Sequence, residues 1–542
     1  MIVTLIIILL FVAALALIIN EVLYWTYLFQ LKEYRFDRLK EYFESPEGMK
    51  LLKSRLLYAG FFGLYFLIEI VVYVYNQDGR DFSFLSMVPF VFFVFFILYS
   101  SFRFLLTLRQ KRLRIPTFSP RAISMLVFAY GAIIIMALLT LDFFVAYLEG
   151  SLLFVLIFVP IFVLAALVIT LPLANFLKKR VFDKAKAKRE SLDNLLVIGI
   201  TGSYGKTSVK EYVYQIFSRC FNTLKTDTHV NTELGIANTV IDKLNDQHQV
   251  FVVEMGAYKK GEIKFVSEII KPNVGIITGI NEQHLSLFGS QENIVKGKAE
   301  LATALPQDGP LILNGDNKYC REIGRKIKRQ NSYYSLKRKT DLYLEKAELK
   351  EDSSYFELGY KGQNYPFKTS LVGEHNLQNL MAAILTAFEL GVSYDIIKKA
   401  LLNLKPLSEN MEVIRKGQHS YIDNTYNLNP ASIKAAVKML KFYPKSRKVL
   451  VLDDILELGE KAKSVHTTVG EQITDFDRVY LIGKNYSNVV KKSALEAGLA
   501  EEQVKITHDL DNVARKIKKM KQRSVIVLLG KGCKKVSHKL NV

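Results

Sequence analysis

Two glycines, a lysine and neighbouring hydroxyl residues stand together in TGSYGKTS, residues 201–208. That mixture can hold a polyphosphate. Gly202 and Gly205 let backbone N–H groups turn toward an anion at a helix N-terminus, Lys206 adds a cation, and Thr207 offers a hydroxyl to magnesium. Ser203, Tyr204 and Ser208 complete the loop. The strict GxxxxGK[ST] spacing fails because residue 200 is isoleucine, so the loop is a variant. Farther along, the apolar run VFVVE ends at Glu254 and places a carboxylate at the carboxyl edge of a sheet, where open α/β folds hold ligands. A hard oxygen donor at that edge suits Mg²⁺.

Further motifs follow in a fixed order: THVNTELGIANT, VVEMGA, NEQHLSLFGSQENIVKGKAEL, LILNGDN, GEHNLQNLMAA, YIDNTYNLNPAS and VLDDILELGE with His466. The series over roughly residues 190–542 resembles the Mur ligase family, most closely its MurF type, which adds D-alanyl-D-alanine to a muramyl tripeptide. The resemblance implies ATP and Mg²⁺ as cofactors, with residues 202–208 around the phosphates. It implies Thr207, Glu254 and His284 as metal-side residues. Lys206, His284 and Lys298 then become the catalytic set, with Lys298 the lysine that the family carbamylates. It also implies Asp316, His375, Asn376 and Asn379 beside the nucleotide, and Asn231 and Thr232 near the reacting carboxylate.

The segment DNTYNLNP matches the MurF-type pattern DDSYNANP. It implies Asp423, Tyr426, Asn427 and Asn429 on the side of the amine substrate. Five positions depart from the family pattern. Asn424 replaces an acid, Asn410 stands where an arginine is usual, Asp453 replaces a glycine, and Cys533 with Lys534 replace Ser and Arg. An Arg-to-Lys exchange loses bidentate geometry.

Positioning these residues requires strand-turn-helix units. LLVIGI reads as a short buried strand and residues 209–217 as a helix, giving the glycine loop its setting. After Pro406, strands are expected at 420–422, 448–452, 478–482 and 524–529, alternating with helices in a Rossmann-like sheet. The expected organisation is a membrane region at 1–178, a basic linker at 179–192, a Mur ligase central ATP-binding domain at 193–405, and a Rossmann-like C-terminal domain at 406–542. The fold class is therefore an α-helical transmembrane region followed by two α/β domains.

Five apolar runs, near 3–29, 56–76, 83–106, 122–147 and 152–176, are long enough to cross a bilayer. The first reads as a retained anchor, since no small-residue cleavage site is evident. Glu21 interrupts the first run and Glu69 the second, and pairing or an interfacial position accounts for both. Lys and Arg crowd the loops after the first and third runs and the segment after the fifth, whereas Arg80 alone marks the other two loops. This asymmetry places the N-terminus outside and the large C-terminal part in the cytoplasm of a multi-pass inner-membrane protein.

The chain of 542 residues has a formal net charge of +21, and much of that charge flanks the apolar runs. Such placement favours lipid headgroups over nucleic acid. Cys220, Cys320 and Cys533 are an odd, scattered set without CxxC spacing, which suggests neither a disulfide framework nor a zinc site and suits a reducing compartment.

The resemblance leads to an ATP-dependent ligase that joins a carboxylate to an amine through an acyl phosphate. Membrane spans stand where soluble Mur ligases carry the domain for the UDP-sugar. A lipid-linked or UDP-linked envelope precursor is then the expected acceptor, with an amino acid or dipeptide as the amine. Two rivals remain open: a poly-γ-glutamate synthase-like ligase, which would elongate glutamate chains, and a noncatalytic nucleotide-binding scaffold, which the substituted Asn424, Asn410 and Lys534 would suit.

Overall fold

A computed structural model describes residues 2–77, 87–109, 113–139, 148–228, 230–327, 329–408, 411–426 and 428–542. Arg80, Lys111, Arg112, Asn410 and Asn427 lie outside the described residues. The chain forms two compact units, Met1–Lys179 and Arg180–Val542.

In the first unit, five long helices cover Ile2–Leu31, Pro46–Gln77, Met87–Arg109, Pro120–Leu139 and Leu148–Glu190, the last continuing beyond the unit's end. Each contains a stretch long and apolar enough to cross a membrane. Val22, Ile97, Met125 and Val159 are fully buried between them, while Leu56, Phe95 and Leu139 point outward and are more than two-thirds exposed. An apolar exterior of this extent suits hydrocarbon better than water. Glu21 forms an ion pair with Arg55 of the next long helix, and the Arg55 guanidinium lies 5.5 Å from the Trp25 ring. The carboxylate that interrupts the first run is thus paired inside the bundle. The basic segment after the fifth run is helical and continuous with it to Glu190.

The second unit holds two sheets. Strands β1 (Leu196–Thr201), β2 (Thr223–Lys225), β3 (Val250–Glu254), β4 (Val274–Ile277), β5 (Leu311–Asn314), β6 (Asn331–Ser335), β7 (Leu342–Leu349), β8 (Ser354–Tyr360) and β9 (Gln363–Thr369) form one. Their spatial order is β2-β3-β1-β4-β5-β6-β7-β8-β9. β1 through β6 pair in parallel, and β7, β8 and β9 close the sheet as an antiparallel meander. Apolar β1, β3 and β4 are buried on both faces, as central parallel strands between helix layers should be. Chain direction across the sheet reverses beside β1, so a crevice opens at the carboxyl ends of β1, β3 and β4.

Strands β10 (Glu412–Lys416), β11 (His419–Asn424), β12 (Arg447–Leu452), β13 (Arg478–Leu481), β14 (Val504–Ile506) and β15 (Ser524–Leu529) form the second sheet, in the order β10-β11-β15-β12-β13-β14. Antiparallel β10 makes this sheet mixed, where the sequence suggested four strands only. Both are α/β sheets with helices on their faces.

Candidate functional site

The glycine loop follows β1 and opens the helix Lys206–Phe217. Gly202 and Gly205 have φ of 148° and 77°. A Cβ at Gly202 would lie 2.2 Å from Thr278 Oγ1, and one at Gly205 would lie 2.5 Å from Asn379 Oδ1. Both the backbone turn and the crowding therefore require glycine. Ser203 N donates to Gly279 O at 2.7 Å, which ties the loop to the segment after β4. Tyr204 covers Gly279, and burial pushes its phenol up to about 12.

Lys206 Nζ donates to Gly202 O at 2.8 Å, curling back over the loop it follows. Burial lowers its pKa, and the Glu254 carboxylate opposes that shift. Glu254 ends β3 in register with Ile200 and is buried. Its Oε1 accepts from Thr207 Oγ1 at 3.2 Å and from Asn231 Nδ2 at 3.1 Å. Its Oε2 is buried without a hydrogen bond, 3.4 Å from Lys210 Nζ. A hydroxyl and a half-satisfied carboxylate at the mouth of a phosphate loop fit a hard cation that completes its shell with phosphate and water. Among the described residues, no three of His, Cys, Asp and Glu cluster as a self-sufficient metal site.

His284 joins this region from the loop after β4, with φ 63°. Its Nδ1 is hydrogen-bonded to the Glu457 carboxylate, which belongs to the second sheet's loops and itself has φ 62°. A carboxylate only accepts, so Nδ1 carries the proton. The ring meets Tyr258 edge-on at 4.7 Å, and burial lowers its pKa. Lys298 is buried, with Nζ 3.5 Å from Ala257 O and 5.7 Å from the Phe288 ring. Burial, reinforced by Lys206, brings its pKa down to about 7.

A cleft of about 860 Å³ runs between the two sheets. It is lined by Tyr204 to Ser208, Asn231, Glu254, His284, Asp316, His375, Asn379, Tyr426 and Asn429, together with the departing residues Asn424 and Asp453. Asp316 Oδ2 accepts from Leu336 N at 2.8 Å and from Gln378 Nε2 at 3.2 Å. His375 Nε2 is buried without a partner, and burial lowers that ring's pKa to about 4. Burial, with Glu254 contributing, raises the Tyr426 phenol to about 12.

Four of the expected residues make the following contacts with the protein itself. Asn376 is buried in the core, where Oδ1 accepts from Tyr212 Oη at 2.8 Å and Nδ2 donates to Val372 O at 2.9 Å. Thr232 caps the helix Glu233–Asp242 by accepting from Gly235 N at 3.3 Å. Asp423 turns its carboxylate to Thr425 N and Ser537 Oγ, both at 2.9 Å. Lys298 is buried and is not among the residues that line the cleft. Asn429 does line the cleft, and it also caps the helix Pro430–Met439 through Ala431 N and Ser432 N.

Other contributors escaped the sequence reading. Lys210 Nζ is fully buried beside Glu254 and donates to Asp227 O at 3.1 Å. Its spacing one turn after Lys206 was the available signal. Glu457 was hidden inside VLDDILELGE. His466, quoted with that motif, is buried and accepts from Ile455 N at 3.1 Å, which braces the Glu457 loop from behind. Cys533 is buried against Val451 O and Leu529 O, and Lys531 is the cation that this segment presents to the cleft.

Family models agree with this architecture. The Mur ligase middle domain matches residues 200–387, and the Mur ligase, glutamate ligase domain matches residues 411–532. UDP-N-acetylmuramoyl-tripeptide–D-alanyl-D-alanine ligase of Escherichia coli is 31% identical over 319 residues, which span 57% of this chain and 70% of that enzyme. The chain belongs to the Mur ligase family. Its Bacillus subtilis relative of the same name is 33% identical, with 53% of this chain and 63% of the relative covered. Among solved structures, MurF from Acinetobacter baumannii matches this Mur ligase with a TM-score of 0.61 at 28% identity, covering 67% of this chain and 80% of that one. MurF ligase from Thermotoga maritima in complex with ADP matches with a TM-score of 0.58 at 25% identity, covering 67% and 82%.

Proposed function

We propose that this Mur ligase is a membrane-anchored, ATP-dependent enzyme that adds D-alanyl-D-alanine, or a similar amine, to the terminal carboxylate of a peptidoglycan-type precursor. The observation that carries the reading is the convergence of Lys206, Thr207 and Glu254 with Tyr426 and Glu457 in one cleft. The carboxylate-amine chemistry is that of the MurF-type relatives. The acceptor is UDP-linked, as their names state, or lipid-linked, as the five apolar helices favour. Those helices span the inner membrane, with the N-terminus outside and the catalytic unit in the cytoplasm.

Residues 202–208 hold the ATP phosphates, and His375, Asn379 and Asp316 lie toward the rest of the nucleotide. His375 Nε2, buried without a partner, is one polar atom that a ligand can satisfy. Thr207 and Glu254 would hold a magnesium ion, with His284 on the same side; when bound, the ion neutralises phosphate charge. Lys206 stabilises charge that develops on the phosphoryl oxygens. An oxygen of the acceptor carboxylate attacks the γ-phosphorus, the bond to the ADP oxygen breaks, and an acyl phosphate forms. The free amine of the second substrate then attacks the acyl carbon. Its C–O bond to phosphate breaks, inorganic phosphate leaves, and the amine nitrogen gives up a proton. Asn424, Tyr426, Asn429 and Lys531 border the space for that amine, and closure of the second sheet over it excludes water.

Lys298 is the lysine for carbamylation. An amine that burial brings down to about pKa 7 has a neutral form available near neutral pH, and that form can attack CO₂, releasing one proton as the carbamate forms. The full chain, incubated with ATP, Mg²⁺, D-alanyl-D-alanine and either UDP-linked or lipid-linked muramyl tripeptide, should yield a product heavier by one dipeptide less water. Glutamate chain elongation would instead support the poly-γ-glutamate reading.

A further inference from the structure

The C-terminal sheet distributes its charge unevenly. Residues 505–542 contain eleven Lys or Arg and two acidic residues. The helices Leu510–Lys518 and Lys534–Leu540 fall in this stretch and pack together on one face of the sheet. Val513, Ala514, Ile517, Val536 and Leu540 meet Tyr421, Val449, Tyr480 and Ile526 there. The cleft-lining helix Pro430–Met439 packs with the other core, on the opposite face.

Burying one side of the two helices leaves the other side in solvent, and that side is cationic. Arg515, Lys516, Lys518, Lys519 and Lys535 are all exposed. Among the described residues, none of these five has a carboxylate within ion-pair distance, whereas Lys539 is paired to Asp511. Helix dipoles explain cations at the end of Leu510–Lys518. They disfavour Lys535 near the start of the next helix. The array is therefore held against both mutual repulsion and the local dipole, and an anionic partner relieves both.

We propose that this face docks on the anionic phospholipid headgroups of the bilayer. The inference rests on the reading that the N-terminal helices span a membrane. Clustered lysines at a membrane surface are attracted to acidic lipid headgroups. No Phe, Tyr or Trp occurs in residues 505–542, whereas single-stranded nucleic acid sites interleave cations with such stacking rings. Because the cleft-lining helix is on the other face, docking leaves the cleft free for substrate.

The test uses the full chain in nanodiscs of zwitterionic lipid and in nanodiscs containing phosphatidylglycerol. Lysine acetylation is followed by mass spectrometry, with Lys461 and Lys463 as references. Lys516, Lys518, Lys519 and Lys535 should react roughly fivefold more slowly in the anionic discs, with the difference lost at high salt. The K516E/K518E/K519E variant should lose the protection of Lys535. Equal rates in both lipids would overturn the proposal, as would protection that requires added nucleic acid. An alkaline wash addresses the spanning reading by itself. Release of the protein from its lipid overturns that reading, whereas retention with equal acetylation rates overturns docking alone.

Discussion

His284 and Glu457 stand 173 residues apart and share a hydrogen bond across the cleft, each with a left-handed backbone. Such backbones cost about 1 kcal/mol or more per residue and persist where surrounding contacts over-determine them. The contact is reinforced where Ser286 N donates to Glu457 O at 3.4 Å. Glu457 fixes the tautomer of His284, so the second sheet completes a site that the first sheet builds. Glu457→Gln keeps the shape but weakens this bond, and Glu457→Ala removes it. Steady-state kinetics should show kcat falling about tenfold or more in the alanine variant, with a smaller loss in the glutamine variant and little change in KM for ATP. A loss confined to KM would contradict a positioning role.

Lys206 and Glu254 answer to different measurements. Lys206→Ala removes charge stabilisation in the transition state and should lower kcat by about a hundredfold or more, while the protein melts near the wild-type temperature. Glu254→Gln should raise the Mg²⁺ concentration needed for half-maximal activity, read by titration at saturating ATP. Unchanged Mg²⁺ dependence would remove Glu254 from the metal side.

The lowered pKa of Lys298 gives a pH dependence of definite sign. Protonated amine cannot attack CO₂, so carbamylation should rise as pH increases through about 7 and level off above it. Activity at pH 8 should fall on removal of dissolved CO₂ and return with bicarbonate. In Lys298→Ala, activity should be low and indifferent to bicarbonate.

Asn376 separates architecture from chemistry. Asn376→Ala strands the buried Tyr212 hydroxyl and should destabilise the unit by about 1–3 kcal/mol. Thermal unfolding would record this as a lower Tm. ATP affinity measured below the transition should remain within about twofold of wild type, since less than 0.5 kcal/mol separates such values.

What the sequence made legible was local. The glycine loop was readable because its backbone turn requires glycine and its strand is a continuous apolar run. The five apolar helices were readable from length alone. The partners of Asn376 and Asp423 were not legible because polar side chains near a site look alike in one dimension. Their partners, Tyr212 and Ser537, lie 164 and 114 residues away. The β7–β9 meander was missed because much of β7 is exposed and its sequence lacks a clean alternation. Lys210 was missed for the opposite reason: a lysine inside a helix usually faces water, whereas this one is wholly buried beside Glu254.

Acyl phosphate formation leaves an isotopic trace. With the acceptor carboxylate labelled in heavy oxygen, the full chain turning over ATP and D-alanyl-D-alanine should release inorganic phosphate carrying one labelled oxygen for each amide formed. Amide formation with unlabelled phosphate, or ATP hydrolysis that never transfers the label, would contradict activation of the carboxylate by the terminal phosphoryl group.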